Sequence, residues 1–356
     1  MQSRPVANIH LSNIVENWKA LCARAPSGKT AAVVKANAYG HGARQVGEAL
    51  HDAGCDIFFV AYAFEGEQLR RALGPHALIY VLNGPSPDQA VLYQSAALSA
   101  VVNSPKQFQT LYAWLQSGIK IPYALHFDTG MNRLGLRAED AAKLATATQA
   151  RPPELIMSHL ACGDETSSPM NAAQPAKLSA IAAVFPGIPV SLANSGGVML
   201  GGGFIDALPR PGIALYGGGA PADGLKLKPG LTLTAPILTL HIAKKGETVG
   251  YGATHTFNTD VPLATVGLGY ADGILRSGAN QLIGYIDETP CPVVGRISMD
   301  LITIDVSKAQ NTAKAGTGVE FIGKTATLEA QAARCGTIGY ELLTGLSERV
   351  ERIYQS

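Results

Sequence analysis

The stretch Lys29–Ala61, KTAAVVKANAYGHGARQVGEALHDAGCDIFFVA, carries one full repeat of the pattern that decides the fold. Ala31–Val34 is a short apolar run, Gly47–Ala53 has helical character, and Ile57–Ala61 is a second apolar run. Strand, helix and strand in that order imply parallel strands joined by a crossover.

The same alternation recurs downstream. Apolar runs follow at Leu78–Leu82, Leu98–Val102, Tyr123–Phe127, Glu154–Met157, Pro189–Leu192 and Ile213–Tyr216. Helical segments at Glu65–Leu73, Pro105–Gln116, Glu139–Ala147 and Pro175–Val184 lie among them. Eight strand units within roughly 210 residues is the size of a (β/α)8 barrel. Counting strands alone leaves an open, doubly wound sheet as the alternative.

After Pro221 the pattern changes. PADGLKLKPG (Pro221–Gly230) reads as a linker. Short alternating strands follow: LTLTAPILTLHIA, ETVGYGA, ATVGLGYADG, QLIGYID, PVVGRISMD, LITIDV and VEFIG, with one helical patch at Thr327–Arg334. The expected architecture is an N-terminal (β/α)8 TIM-like barrel over 1–225 and a C-terminal, mainly β domain over 226–356.

Composition narrows the function classes. The 356 residues suggest two domains, and 47% apolar against 15% charged residues is the balance of packed domains. Lys plus Arg is 28 and Asp plus Glu is 27, so the net charge of +1 makes no case for nucleic acid or an anionic membrane surface. The 39 glycines suggest many tight turns and close backbone approaches. Five scattered cysteines without a CxxC pair argue against disulfides and against a metal site. The opening MQSRPVANIHLSNIVENW shows no secretory signal, and no apolar run spans a membrane. A soluble, cytoplasmic protein is expected.

Two motif matches are decoys. Gly318–Thr325 fits G-x-x-x-x-G-K-[ST], but its variable residues Val-Glu-Phe-Ile read as a strand, not as a turn that wraps phosphate. Asp128-Thr129-Gly130 matches the aspartic-protease triplet, yet that chemistry needs two carboxylates and no second copy exists.

AVVKANAYGHG (Ala32–Gly42) carries more. A lysine directly after a barrel strand sits at the C-terminal mouth, where active sites lie. Lysines so placed form Schiff bases with pyridoxal phosphate when their surroundings lower the pKa. Position alone favours a lysine whose ammonium snorkels to water.

The wider sequence resembles the alanine racemase family. AVVKANAYGHG is similar to its pyridoxal-phosphate attachment signature, and the resemblance runs through nearly the whole chain. It includes DTGMNRLG (Asp128–Gly135), SHLACGDE (Ser158–Glu165), ANSGG (Ala193–Gly197) and RPGIALYG (Arg210–Gly217). It continues with VGYGATH (Val249–His255), GLGYADG (Gly267–Gly273), GRISMD (Gly295–Asp300) and IGYELLTGLSERVERIY (Ile338–Tyr354).

The resemblance implies a barrel followed by a β domain, a homodimer with shared active sites, pyridoxal 5'-phosphate as cofactor, no metal, and alanine as substrate. It implies that Lys35 carries the cofactor and is one base, and that Tyr251 from the other subunit is the opposite base. A tyrosine needs positive charge or a relay to act at neutral pH, and His159 and Arg210 match that chain. Arg210 also matches the arginine facing the pyridine nitrogen, where a permanent cation leaves that nitrogen unprotonated. Tyr39, Asn194, Ser195, Gly212, Ile213 and Tyr340 match the phosphate-binding positions. Arg133, Met299 and Asp300 match the substrate-carboxylate positions, the last two from the partner; Tyr270 and Tyr340 match the entrance.

One position departs from the family. Many members have a carbamylated lysine two residues before DTG; here His126 stands there and cannot be carbamylated. The implied reaction is racemisation of alanine, supplying D-alanine for peptidoglycan. A racemase of another small amino acid such as serine, a decarboxylase on the same architecture, and a pyridoxal-phosphate carrier without turnover are the competing readings. GYGATH and GRISMD favour the racemase over the decarboxylase, and the β domain favours it over the carrier.

Overall fold

In a computed structural model of the protein, the described residues are 4–25, 29–201, 207–219 and 224–356. Met1–Ser3 of the opening stretch and the start of the expected linker, through 223, lie outside them. The chain forms two compact units, one of Ile14–Leu227 and one of Lys228–Ser356 together with the residues up to Asn13. The first strand belongs to the β unit, not to the unit that holds the barrel.

That first strand, β1 (Val6–His10), is placed by long-range pairing. The first barrel strands are β2 (Ala32–Val33), β3 (Ile57–Val60), β4 (Leu78–Val81) and β5 (Leu98–Val102). β6 (Tyr123–His126), β7 (Leu155–Met157) and β8 (Val190–Ser191) complete a parallel sheet in sequential order. Parallel strands are covered on both faces, so they read as continuous apolar runs. All five residues of β5 are buried, as are Ala31, Ala32, Val33 and Val34 around β2. The crossover helix Pro105–Gln116 begins where expected: Ser104 caps it by accepting from the Gln107 amide at 3.2 Å, and Pro105 opens its first turn.

The expectation of an eighth strand at Ile213–Tyr216 fails; those residues form a 3-10 turn. The gap between β8 and β2 is bridged a few residues earlier. The Ala31 and Val33 amides donate to the Pro209 and Pro211 carbonyls at 2.9 and 3.1 Å, and the Arg210 amide donates to the Ala193 carbonyl at 2.8 Å. Pro209 and Pro211 have no N–H, so this segment closes the barrel without a regular ladder. Its consequence is functional: Arg210 is fixed at the barrel mouth.

The second unit is built on β9 (Leu231–Ala243), as long as its alternating sequence suggests. β10 (Thr248–Val249) pairs with β11 (His255–Thr256), and β12 (Val261–Val266) pairs with the second half of β9. β13 (Ile283–Ile286), β14 (Thr289–Pro292), β15 (Ile302–Asp305), β16 (Gly318–Ile322) and β17 (Glu351–Gln355) follow. The main sheet runs β14-β13-β16-β9-β1-β17, with β1 parallel to β17 and antiparallel to β9. PVVGRISMD is mostly loop rather than strand, and helix Gly339–Thr344 is one the alternating pattern does not reveal.

Candidate active site

Lys35 follows β2 and begins an unusual turn. Ala36, Asn37, Ala38 and Tyr39 have φ of 51°, 53°, 53° and 52°, one after another, none of them glycine. Left-handed backbone costs an L-residue about 1–2 kcal/mol, so strain is concentrated directly behind the lysine. The surroundings hold it. The Ala38 amide donates to the Val34 carbonyl at 2.9 Å, and the Gly40 amide to the Ala36 carbonyl at 3.0 Å. Asn37 Oδ1 accepts from the Ala43 amide at 2.8 Å, and Glu65 Oε1 accepts from the Ala36 amide at 2.8 Å.

The turn throws the Tyr39 ring onto Tyr216, with centroids 4.9 Å apart and planes 29° from parallel. Tyr216 is fixed in turn by donating to the Val33 carbonyl at 3.0 Å. Beneath the Tyr39 hydroxyl lies Gly212, where a Cβ would come within 2.2 Å of Oη. Only glycine permits that approach. Ser195 Oγ accepts from the Gly212 and Ala214 amides at 2.9 and 3.2 Å, and Ile213 opens the 3-10 turn between them. Asn194 caps the next short helix by accepting from the Gly197 amide at 3.0 Å. The hydroxyls of Tyr39 and Ser195, with the Ile213 amide at the head of a helical turn, make a donor patch of the kind a phosphate needs.

Two arginines charge this part of the barrel mouth, Arg133 acting on Lys35 and Arg210 on the neighbouring histidines. Arg210 is 4% exposed, donates to the Ser158 carbonyl at 2.6 Å and to Ser191 Oγ, and lies 5.7 Å from the Phe59 ring centre. Burial lowers the Lys35 pKa, and the Arg133 charge lowers it further, against a smaller opposing effect of Glu65. Burial, then Arg210 and Arg133, push His159 well below its ordinary value. The same three causes push His126 down to about 4. Both imidazoles are therefore neutral at physiological pH.

The hydrogen-bond network assigns their tautomers. Asn103 Nδ2 donates to the Leu82 and Val101 carbonyls at 2.9 and 3.1 Å, so its Oδ1 must be the atom facing His126 Nδ1 at 2.6 Å. His126 thus carries its proton on Nδ1 and keeps a lone pair on Nε2. At His159, Asn194 Nδ2 lies 3.4 Å from Nε2, with the Asn194 oxygen already taken by Gly197. Nε2 is then the acceptor there.

The DTG triplet is a loop anchor. Asp128 Oδ1 accepts from the Gly130 and Asn132 amides at 2.9 and 3.1 Å, and Oδ2 pairs with Arg137 at 3.2 Å. The loop base is closed by Asp128 and Leu136, whose amides donate to the Leu136 and His126 carbonyls at 3.0 and 2.8 Å. Arg133 is carried on this loop, exposed. Gln174, fully buried, ties it to the next: Nε2 donates to Thr129 Oγ1 at 3.0 Å and to the His159 carbonyl at 2.8 Å. The other decoy is also explained. Glu320 accepts from the Thr325 and Ala326 amides at 2.8 Å each, so those amides serve a carboxylate of the chain itself.

The barrel unit thus brings together Lys35, Tyr39, Arg133, His159, Asn194, Ser195, Arg210, Gly212 and Ile213, with His126 beside them. The remaining expected residues belong to the β unit. Tyr251 opens a 3-10 turn and is 71% exposed. Tyr270 and Met299–Asp300 are adjacent: the Tyr270 amide donates to the Ser298 carbonyl at 3.1 Å and the Ala271 amide to the Met299 carbonyl at 2.9 Å. Arg349 bridges Asp300 at 2.7 Å and buried Asp272 at 3.2 Å. Tyr340, on helix Gly339–Thr344, is 43% exposed. Glu65, Asn103, Gln174 and Arg349 had no place in the sequence reading. Only Glu65 had a local signal, an acid at the third position of a helix.

Among the described residues no cluster of His, Cys, Asp and Glu could hold a metal, and no helix is long and apolar enough to cross a membrane. A lysine at the mouth of a parallel barrel, with a separate β unit after it, defines a class of two-part barrel enzymes. The particular family follows from comparison. Residues 9–220 match the alanine racemase N-terminal domain and residues 230–354 the alanine racemase C-terminal domain; the chain belongs to the alanine racemase family.

Similar proteins include the alanine racemase of Brucella abortus (strain 2308), 41% identical over 98% of this chain and 93% of that one. That of Methylobacterium nodulans is 42% identical over 97% and 95%. Among solved structures, alanine racemase from Bartonella henselae with covalently bound pyridoxal phosphate superposes with a TM-score of 0.93 at 35% identity, over 99% of this chain and all of that one. Biosynthetic alanine racemase from Pseudomonas aeruginosa gives 0.90 at 33% identity, with both chains covered in full.

Proposed function

We propose that this protein interconverts L- and D-alanine with pyridoxal 5'-phosphate held on Lys35, in the cytoplasm, and that its D-alanine serves peptidoglycan. The observation that carries this reading is Lys35 itself: half-buried at the barrel mouth, with a pKa lowered by burial and by Arg133, close to a neutral His159.

The residues fit the cofactor. The Gly212 cradle under Tyr39, the Ser195 hydroxyl and the Ile213 amide suit its phosphate. Arg210 suits the ring nitrogen, because a guanidinium donates and does not give up its proton. When bound, pyridoxal phosphate supplies a carbonyl for amines and an electron sink that acidifies the α-proton of an amino acid.

The chain does the rest. A lowered pKa leaves more of the Lys35 amine free near neutral pH, so that it can hold or release a proton at Nζ. Tyr251 Oη is the second base, acting on the opposite face, because inversion requires removal of a proton on one face and delivery on the other. Its exposure in a single chain suits a hydroxyl supplied to the partner in a homodimer. His159, neutral with Nε2 as acceptor, and Arg210 form the relay that makes a tyrosine usable as a base. Arg133 holds the substrate carboxylate, joined by Met299 and Asp300 of the other protomer; Tyr270 and Tyr340 narrow the entrance to a methyl-sized side chain.

The test is to incubate the purified protein with pyridoxal phosphate and L-alanine and follow D-alanine with a stereospecific coupled assay. Conversion toward an equal mixture supports the reading. No D-alanine from protein carrying the cofactor overturns it, and turnover of serine in its place moves the substrate.

A further inference from the structure

The left-handed turn behind Lys35 needs something to hold its first peptide, and the group that does so lies on another element. Glu65 sits on the helix Ala63–Leu73 that follows β3. Its Oε2 accepts from the Ala61 and Tyr62 amides at 2.8 and 3.1 Å, which is the ordinary reach of a third-position acid back over a helix start. Its Oε1 is used differently. It accepts from the Ala36 amide at 2.8 Å, across to the neighbouring strand end. One carboxylate therefore joins the βα turn after β3 to the peptide bond that leaves Lys35.

We propose that Glu65 is a positioning residue for Lys35: it pins the Lys35–Ala36 peptide, sets the left-handed turn Ala36–Tyr39, and so aims both Nζ and the Tyr39 ring. The inference rests on Lys35 being the reactive lysine. An L-residue leaves left-handed backbone readily unless both ends of the turn are held. Asn37 holds the far end through the Ala43 amide, and Glu65 holds the near end. A carboxylate also has two acceptor oxygens, where an amide has one. Three amides on two oxygens therefore call for a glutamate, not a glutamine.

Glu65 adds a field as well as a hydrogen bond. Arg133 and Glu65 act on the Lys35 ammonium in opposite senses, and Lys35 in turn acts on His159. Removing the Glu65 charge lowers the affinity of Lys35 for its proton.

Glu65→Gln separates the two ends of the contact. The glutamine oxygen can keep the two amides at the helix start, which puts its NH2 against the Ala36 amide, so only the Lys35 side is released. The measurement is hydrogen exchange of the full-length protein in peptides covering Ala36–Gly40 and, separately, Ala63–Leu73. Expected is exchange about tenfold faster at Ala36–Gly40, the loss of one hydrogen bond, with little change in the helix. The acid limb of the turnover–pH profile should also move to lower pH.

Unchanged exchange at Ala36–Gly40, or an equal rise in both peptides, overturns the proposal and leaves Glu65 as a helix cap alone. Should Glu65→Gln fail to fold, Glu65→Asp keeps the charge but shortens the reach. It should speed exchange at Ala36–Gly40 with the acid limb near its wild-type position, and unchanged exchange again overturns the idea. Exchange is read without substrate, so this test and the D-alanine assay fail independently.

Discussion

Gly212→Ala isolates one close approach. Gly212 has a negative φ, −117°, so the substitution does not force alanine into left-handed backbone. What it introduces is a methyl group 2.2 Å from Tyr39 Oη and 2.9 Å from Cζ. Ordinary contact begins at 3.4 Å, so the hydroxyl must move by about 1.2 Å. Tyr39 has little room to give way. Its backbone is in the left-handed turn, and its ring is stacked 4.9 Å from a Tyr216 that is itself hydrogen-bonded. Overpacking of this kind costs about 1–3 kcal/mol. For a unit the size of Ile14–Leu227 each kcal/mol is worth roughly 2–4 °C of Tm. Displacing a positioning group by about 1 Å can cost about 10²-fold in turnover.

The assay is a thermal melt beside D-alanine formation, with Tyr39→Phe and the double variant completing a cycle. Removing the hydroxyl relieves the closest contact and leaves the milder one at Cζ. The double variant should therefore be more stable than the two single effects added together, by about 1 kcal/mol. Wild-type Tm and turnover in Gly212→Ala, or strictly additive effects, would refute the reasoning, because they would mean that Tyr39 can yield.

Three further outcomes are expected. His126 is held at about 4 against an ordinary 6.5, so unfolding lets it take up a proton. Its contribution to stability is complete above about 6.5 and is lost as pH falls toward 4, with His159 adding in the same direction. Tm measured from pH 7 to pH 4 should fall, and His126→Gln should fall less steeply; parallel curves would exclude His126 as a source. Ser195→Ala leaves the Gly212 and Ala214 amides without their acceptor and should cost about 1–3 kcal/mol in urea unfolding; a change within error would mean water replaces the hydroxyl. Lys35→Ala and Tyr251→Ala, each inactive alone, should recover turnover when co-expressed, since mixed dimers restore one complete site. No recovery would place both bases in one chain.

Much of the fold was legible because it is written locally. Helix Pro105–Gln116 announces itself through Ser104 and Pro105, and β9 through an alternation that runs to Ile237 and resumes one residue out of phase at Leu238. The parallel strands read as short apolar runs because both faces are covered. The family, and with it the identities of Lys35, Arg133, Arg210 and Tyr251, rests on motifs spread along the whole chain. Their roles belong to that resemblance rather than to any local pattern.

Other features depend on partners distant in sequence. β1 is five residues with no strand signal of its own, placed by β9 and β17 far along the chain. The barrel closes through Pro209–Pro211, where proline suppresses the very pattern that would reveal a strand, while the apolar Ile213–Tyr216 that mimics one is a 3-10 turn. The left-handed run at Ala36–Tyr39 is not what alanine and tyrosine favour, and its local supports are joined by one from another element. It exists because Glu65, Asn37 and the Val34 carbonyl hold it. Most regular elements and the family could be read along the chain, since propensity, periodicity and motifs act over a few residues. The strain behind Lys35, the protonation of His126 and His159, and the closure at Arg210 came from packing, because each depends on groups that meet when the chain folds.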